Sequence, residues 1–191
     1  MGGRWWGGVP DADVVPDAHL LAAVDEALAG SGAVAEVVCT YTDSSAPLPG
    51  TGVAVRLSAE PADHAATLVA LARTLGGPVV RSESCDNPGA QAGLAALREA
   101  TAGTAGRCVR FPGQEQVSGK VSVADLIAAT AIEDVVGVGV TVTPDHLVDT
   151  RDFLRPTWSG GRLTLVVEQA AGGVLQPFET EFPHECCGGA H

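Results

Sequence analysis

The chain has 191 residues, enough for one domain with a substantial core and no need of disulfides. Its 23 Asp and Glu outnumber 11 Lys and Arg, and the resulting formal charge of -12 repels nucleic-acid phosphates and anionic lipid headgroups, so neither is expected as a partner. No apolar run approaches the roughly 18 residues of a membrane span, and MGGRWWGGVP at the N-terminus holds no signal-peptide core, so the expected location is cytoplasmic.

Lys120 is the only lysine, beside abundant alanine, glycine and valine, a bias of GC-rich coding that describes the genome and not the function. In a reducing compartment the five cysteines are expected as free thiols, metal ligands or redox thiols rather than structural disulfides. Cys39 in AEVVCTY and Cys108 in GRCVRF read as small buried side chains of apolar strands, while Cys85 in SESCDNPG falls in a turn.

Residues 1–16 mix glycine, proline and acidic residues without periodicity and read as a flexible arm. Its adjacent Trp5 and Trp6 are too apolar for a free tail, so they are expected to dock on this subunit or on a neighbour, and a protein partner or homo-oligomer is expected through them. The globular domain is expected over 17–181. Leu20, Leu21, Val24 and Leu28 recur at helical spacing, which predicts a helix over 17–30 stopped by glycine, with His19 on its surface. AVAEVVCTYT and TGVAVRLSA follow as two strands of a hairpin joined by the turn-rich DSSAPLPG.

A second helix is predicted over 61–75 and a third over 88–102, each opened by proline and closed by glycine, with the strands PVVRSE and RCVRFPG after them. This alternation favours crossover connections with helices on one face of a sheet. QEQVSGKV reads as a polar loop, Ser122 and Asp125 as a capping-box-like start to a short helix VADLIAAT, and Val135–Val142 as a strand that ends in a helical turn at Thr143 and Pro144. RLTLVVEQ and GVLQPFETE, joined through AAGG, predict a C-terminal β-hairpin. The expected fold is α/β or α+β, a single domain with a mixed sheet of about six or seven strands and helices packed on it.

Three constellations carry chemistry. The tail, 182–191, holds His184, Glu185, Cys186, Cys187 and His191. Thiolate and imidazole together suit zinc, with copper or iron as alternatives, so His184, Cys186, Cys187 and His191 are the candidate metal ligands, with Cys85, His64 or His146 as candidate additions from the body. Neighbouring side chains diverge, so the vicinal pair can share one metal only if the backbone bends sharply beside Gly188 and Gly189. An open coordination position with Glu185 or His146 as base would make the site catalytic. The competing readings are thiol-redox chemistry through a strained vicinal disulfide, and a chain end with incidental cysteines.

The second constellation is DTRDFLRPTW, where Arg151 and Arg155 are candidate anion-binding residues for a carboxylate or phosphate, against a reading as local ion pairs with Asp149 and Asp152. The third is the pair of Asp-His neighbours, Asp63–His64 and Asp145–His146, each expected in a helix first turn. No phosphate-binding loop, nucleotide glycine fingerprint or nucleophile elbow occurs, so no nucleotide cofactor is expected.

Asp149, Thr150, Arg151, Asp152, Arg155, Pro156, Pro177, Phe178, Glu179, Cys186, Cys187 and His191 make the last quarter resemble a set of small actinobacterial proteins that end in a Pro-Phe-Glu strand and a paired-cysteine and histidine tail. The resemblance implies that the tail is a recurring feature, and it implies no activity. The functional expectation is a metal-binding protein using that tail. The alternative is a non-catalytic assembly or accessory subunit of a larger complex, or a thiol-redox protein.

Overall fold

The computed structural model describes residues 4–11, 16–43, 50–81 and 86–181. They form a single-domain α+β fold whose sheet runs β4-β1-β3-β2-β5-β9-β10-β11-β8-β6, with β7 pairing β10. The strands are β1 (Trp5–Gly8), β2 (Ala35–Thr42), β3 (Thr51–Leu57), β4 (Val79–Val80), β5 (Arg107–Arg110), β6 (Lys120–Ser122), β7 (Asp134–Gly137), β8 (Leu147–Asp149), β9 (Thr157–Ser159), β10 (Arg162–Gln169) and β11 (Leu175–Pro177). The helices are α1 (Asp17–Leu28), α2 (His64–Leu75), α3 (Gln91–Ala102) and α4 (Val123–Ala129). Eleven strands replace the expected six or seven, because several are only two or three residues long and carry no alternation a sequence can display.

Helix ends follow local chemistry. Asp63 caps α2 by accepting the Ala66 N–H at 2.9 Å, so the helix starts at His64 rather than at 61. Gly76 closes it in the left-handed conformation. Residues 88–90 form a 3-10 turn ahead of α3. Ser122 caps α4 through the Asp125 N–H at 3.0 Å, as expected, but the preceding Lys120–Ser122 is strand β6 and not loop.

The expected arm differs most. Trp5–Gly8 is strand β1, antiparallel to β3 on one side and to β4 on the other. Trp6 is 1 % exposed within the core of α1, α2, β2 and β3, and Trp5 is half-buried on the opposite face. Both tryptophans therefore dock on their own chain, and Trp6 cannot reach a partner without removing β1 from the sheet. The guanidinium carbons of Arg56 and Arg81 lie 5.8 and 4.8 Å from the Trp5 and Trp6 rings respectively.

Helices cover both faces of this half of the sheet rather than one. Leu20, Val24 and Leu28 of α1 and Leu71 and Leu75 of α2 bury Val38, Val53, Val55 and Val109. On the other face α3 lays Ala96 and Ala100 over Ala54. Its approach is so close that a Cβ on Gly52 would collide with the Ala92 carbonyl, and one on Gly7 with the Gly93 carbonyl. Glycine is needed there for space, not for backbone angle. The remaining strands and α4 enclose a second core of Phe111, Leu126, Ile132, Val148, Leu163, Leu165 and Val167. β10 and β11 pair antiparallel as the expected terminal hairpin.

Candidate functional site

One open cleft of about 1020 Å³ lies between the start of α1, the ends of β2 and β3, and the segments before β9 and after β11. Asp17 is one of its lining residues. It occupies the first residue of α1, where the free N–H groups favour an acidic side chain. Its carboxylate accepts two bonds from Arg107, Nη1 to Oδ1 at 2.8 Å and Nη2 to Oδ2 at 2.9 Å, and a third from Arg155 Nε at 2.6 Å. Arg107 Nε also donates to Glu179 at 2.6 Å. Burial works against the charge on Asp17, but the bonds from Arg107 and Arg155 outweigh it and hold its carboxyl below the ordinary value of 3.8. Burial likewise opposes the Arg107 charge, and Asp17 with Glu179 reverses that and holds it firmly protonated.

Backbone strain aims the remaining wall. Arg151 and Asp152 have φ of 54° and 53°, a left-handed conformation that costs roughly 1–2 kcal/mol per non-glycine residue. It is held by the fully buried Thr150, whose Oγ1 accepts the Asp152 N–H at 3.3 Å and whose carbonyl accepts the Phe153 N–H at 3.0 Å. The sharp turn sends Phe153 and Arg155 into the cleft, with the Arg155 guanidinium 3.9 Å from the Phe153 ring centre. Thr40, Thr42, Thr51, Phe178, Thr180 and Glu181 also line the cleft.

The two predicted anion-binding arginines do different work. Arg155 is a cleft residue, with a side chain 9 % exposed. Arg151 instead donates to Gln176 at 3.0 Å outside the lining. The Arg155 pairing is long-range, to Asp17, and not local to its loop. His64 and His146 are structurally employed: His64 Nε2 lies 3.0 Å from Glu60 and its ring meets Trp6 edge-on, while His146 Nδ1 accepts the Thr143 N–H at 2.9 Å in a turn where a helical start was expected. Asp63 is a helix cap and not a partner of His64. The predicted metal ligands His184, Cys186, Cys187 and His191, with Glu185 and Cys85, lie outside the described residues. Among the described residues no three His, Cys, Asp or Glu side chains converge as a metal-binding group, and no helix is long and apolar enough to cross a membrane.

Sequence reasoning singled out neither Asp17 nor Arg107 as a site, and it took Glu179 only as part of the Pro-Phe-Glu strand, with no role in a cleft. The available signal was Arg107, the first of two arginines in the strand RCVR, which alternation turns to the face opposite Cys108. It also treated Cys39 and Cys108 separately, whereas they stand opposite each other in the β2–β5 register, 1 % and 0 % exposed, with their sulfurs 2.6 Å apart. The contact with Cys39, then burial, push the Cys108 thiol far above its ordinary pKa. No protein-family model, curated protein or solved structure matches the chain.

Proposed function

We propose that this is a metal-binding protein whose ligands are His184, Cys186, Cys187 and His191, held beside the Asp17–Arg107–Arg155 cleft. The observation that supports it is where the last strand delivers the chain: Glu179 is tied to Arg107, and Glu181 is among the residues that line the cleft. At about 3.6 Å per residue, chain length alone keeps His184 within about 11 Å of Glu181 and Cys187 within about 22 Å. His184, Cys186 and Cys187 are thus tethered by a short length of chain to a residue that lines a space large enough for a small molecule, while the same bound for His191 is about 36 Å.

Thiolate and imidazole ligands make zinc the first choice, with copper or iron as alternatives. The overall charge of -12 favours binding of a cation. Three of the four donors would leave one coordination position open for a substrate or water.

Elemental analysis of untagged protein, purified without oxygen beside Cys186→Ser/Cys187→Ser, tests the reading. About one metal per chain, lost in the double variant, is expected. Absence of metal from both proteins, or equal content in both, overturns it.

A further inference from the structure

We propose that Cys39 and Cys108 form a reversible intrachain disulfide across strands β2 and β5, made when a hydroperoxide oxidises the protein. The reading rests on strand geometry. Cys108 donates its N–H to the Pro156 carbonyl at 2.8 Å, on the side away from β2. Cys39 and Cys108 are Cα partners in the antiparallel β2–β5 ladder, beside the irregularity that shifts the register between Val38 and Cys39. Directly opposed residues of an antiparallel pair have Cα atoms about 4.5–5.5 Å apart, within the span a disulfide bridges. No other side chain intervenes between the sulfurs.

The surroundings separate this pair from a chance contact of two core cysteines. It belongs to the core formed with Val37, Leu163 and Leu165, on rigid central strands, so the two sulfurs cannot drift apart without breaking the sheet. Its neighbours in register, Thr40 and Arg107, project to the opposite face and line the cleft. The crosslink therefore forms directly behind the cleft wall, and it ties the strand that carries Arg107 to the strand that carries Thr40.

The chemistry balances with hydrogen peroxide as oxidant. When the sheet opens locally and admits peroxide and water, one thiol loses its proton, the thiolate attacks a peroxide oxygen, the S–O bond forms as O–O breaks, and the leaving hydroxide takes up that proton as water. The second sulfur then attacks the resulting sulfenic sulfur, S–S forms as S–O breaks, and a second water leaves. Two thiols lose two electrons and one peroxide becomes two waters. A dithiol reverses the change by thiol–disulfide exchange once the sheet opens locally.

Peptide mapping tests this on the full chain. Protein is treated with hydrogen peroxide or with dithiothreitol, alkylated under denaturing conditions and digested. The expected result is a peptide pair joined through Cys39 and Cys108 after peroxide, lost on later reduction, and a melting temperature several degrees higher in the oxidised form because the bond closes a 69-residue separation. The same shift should survive in Cys85→Ser/Cys186→Ser/Cys187→Ser and vanish in Cys108→Ala. Full alkylation of Cys39 and Cys108 after peroxide, sulfinic acid at either without a crosslink, or pairing of either with another cysteine overturns the proposal. Because the readout involves neither the tail nor metal, its failure is distinct from failure of the metal reading.

Discussion

Asp17 and Arg107, 90 positions apart in the chain, meet in a two-bond fork, and Arg155 adds a third bond to the same carboxylate from 138 positions away. Helix α1 is thereby fastened to β5 and to the segment before β9. The charges lie at the cleft rather than at a remote surface, so the network that holds these elements together also sets the polarity of the cleft.

Removing the shared carboxylate takes the ion-pair partner from Arg155 and leaves Arg107 with Glu179 alone. The Arg155 side chain is 9 % exposed and that of Asp17 20 %, so solvent replaces the lost bonds only in part. Asp17→Ala is expected to lower stability by about 2–4 kcal/mol, toward the range for breaking a largely buried pair. Asp25→Ala, which frees Arg110 from a 53 % exposed partner, should cost far less, about 1 kcal/mol or under. Urea midpoints of the two variants give the comparison, and equal losses would contradict it.

The same bonds predict the acid limb of the stability curve. Asp17 and Asp25 both titrate below 3.8 in the folded chain, through the Arg107 and Arg155 bonds against burial in one case and the Arg110 bond in the other. A lowered folded value contributes stability that is complete above the unfolded value and disappears as pH falls through the folded one. Urea midpoints should therefore drop below about pH 4, and Asp17→Asn should be less stable at neutral pH yet show a shallower fall. Parallel curves for wild type and Asp17→Asn would remove Asp17 from the account.

The legible parts of this fold were those with long local patterns. Leucine spacing, proline starts and glycine stops located α1, α2 and α3 to within a few residues, and the valine-rich runs located β2, β3 and β10. Strands such as β8 and β9, three residues each, exist because neighbouring strands supply their hydrogen bonds, and no local pattern records that. Trp5 and Trp6 lay in a glycine-rich stretch with no periodicity, yet two flanking strands recruit it. The cleft was legible only as isolated charges: Arg155 was singled out for its neighbours in sequence, whereas its partner is fixed by tertiary packing. Cys39 and Cys108 were each read correctly as buried, but register alone puts them together.

Gly52 offers a test of packing against backbone angle. Its added Cβ would meet the Ala92 carbonyl and lie 2.9 Å from the Ala96 Cβ, so α3 must lift off the sheet to admit it. Gly30 has φ of +78° but nothing within 4 Å of an added Cβ. Gly52→Ala is expected to cost about 3 kcal/mol by overpacking, and Gly30→Ala about 1 kcal/mol by strain. Thermal melts of both variants rank the effects, and a Gly30→Ala loss equal to that of Gly52→Ala would show that the α3 contact yields easily.

The N-terminal strand gives the sharpest contrast between sequence and structure. Were residues 1–8 an arm, their deletion would leave the domain unchanged. Instead β1 supplies ladder bonds to β3 and β4, and Trp6 fills the space between α1, α2 and Val55. Trp6→Ala alone should cost about 3–5 kcal/mol, while Trp6→Phe should lose much less because the Trp6 Nε1 has no hydrogen-bond partner to forfeit. Deleting 1–8 removes that side chain and both ladders, so the truncated chain should be unfolded or aggregated, with β4 left without a neighbour. A truncated protein that melts cooperatively near the wild-type temperature would mean that β1 contributes nothing to the sheet.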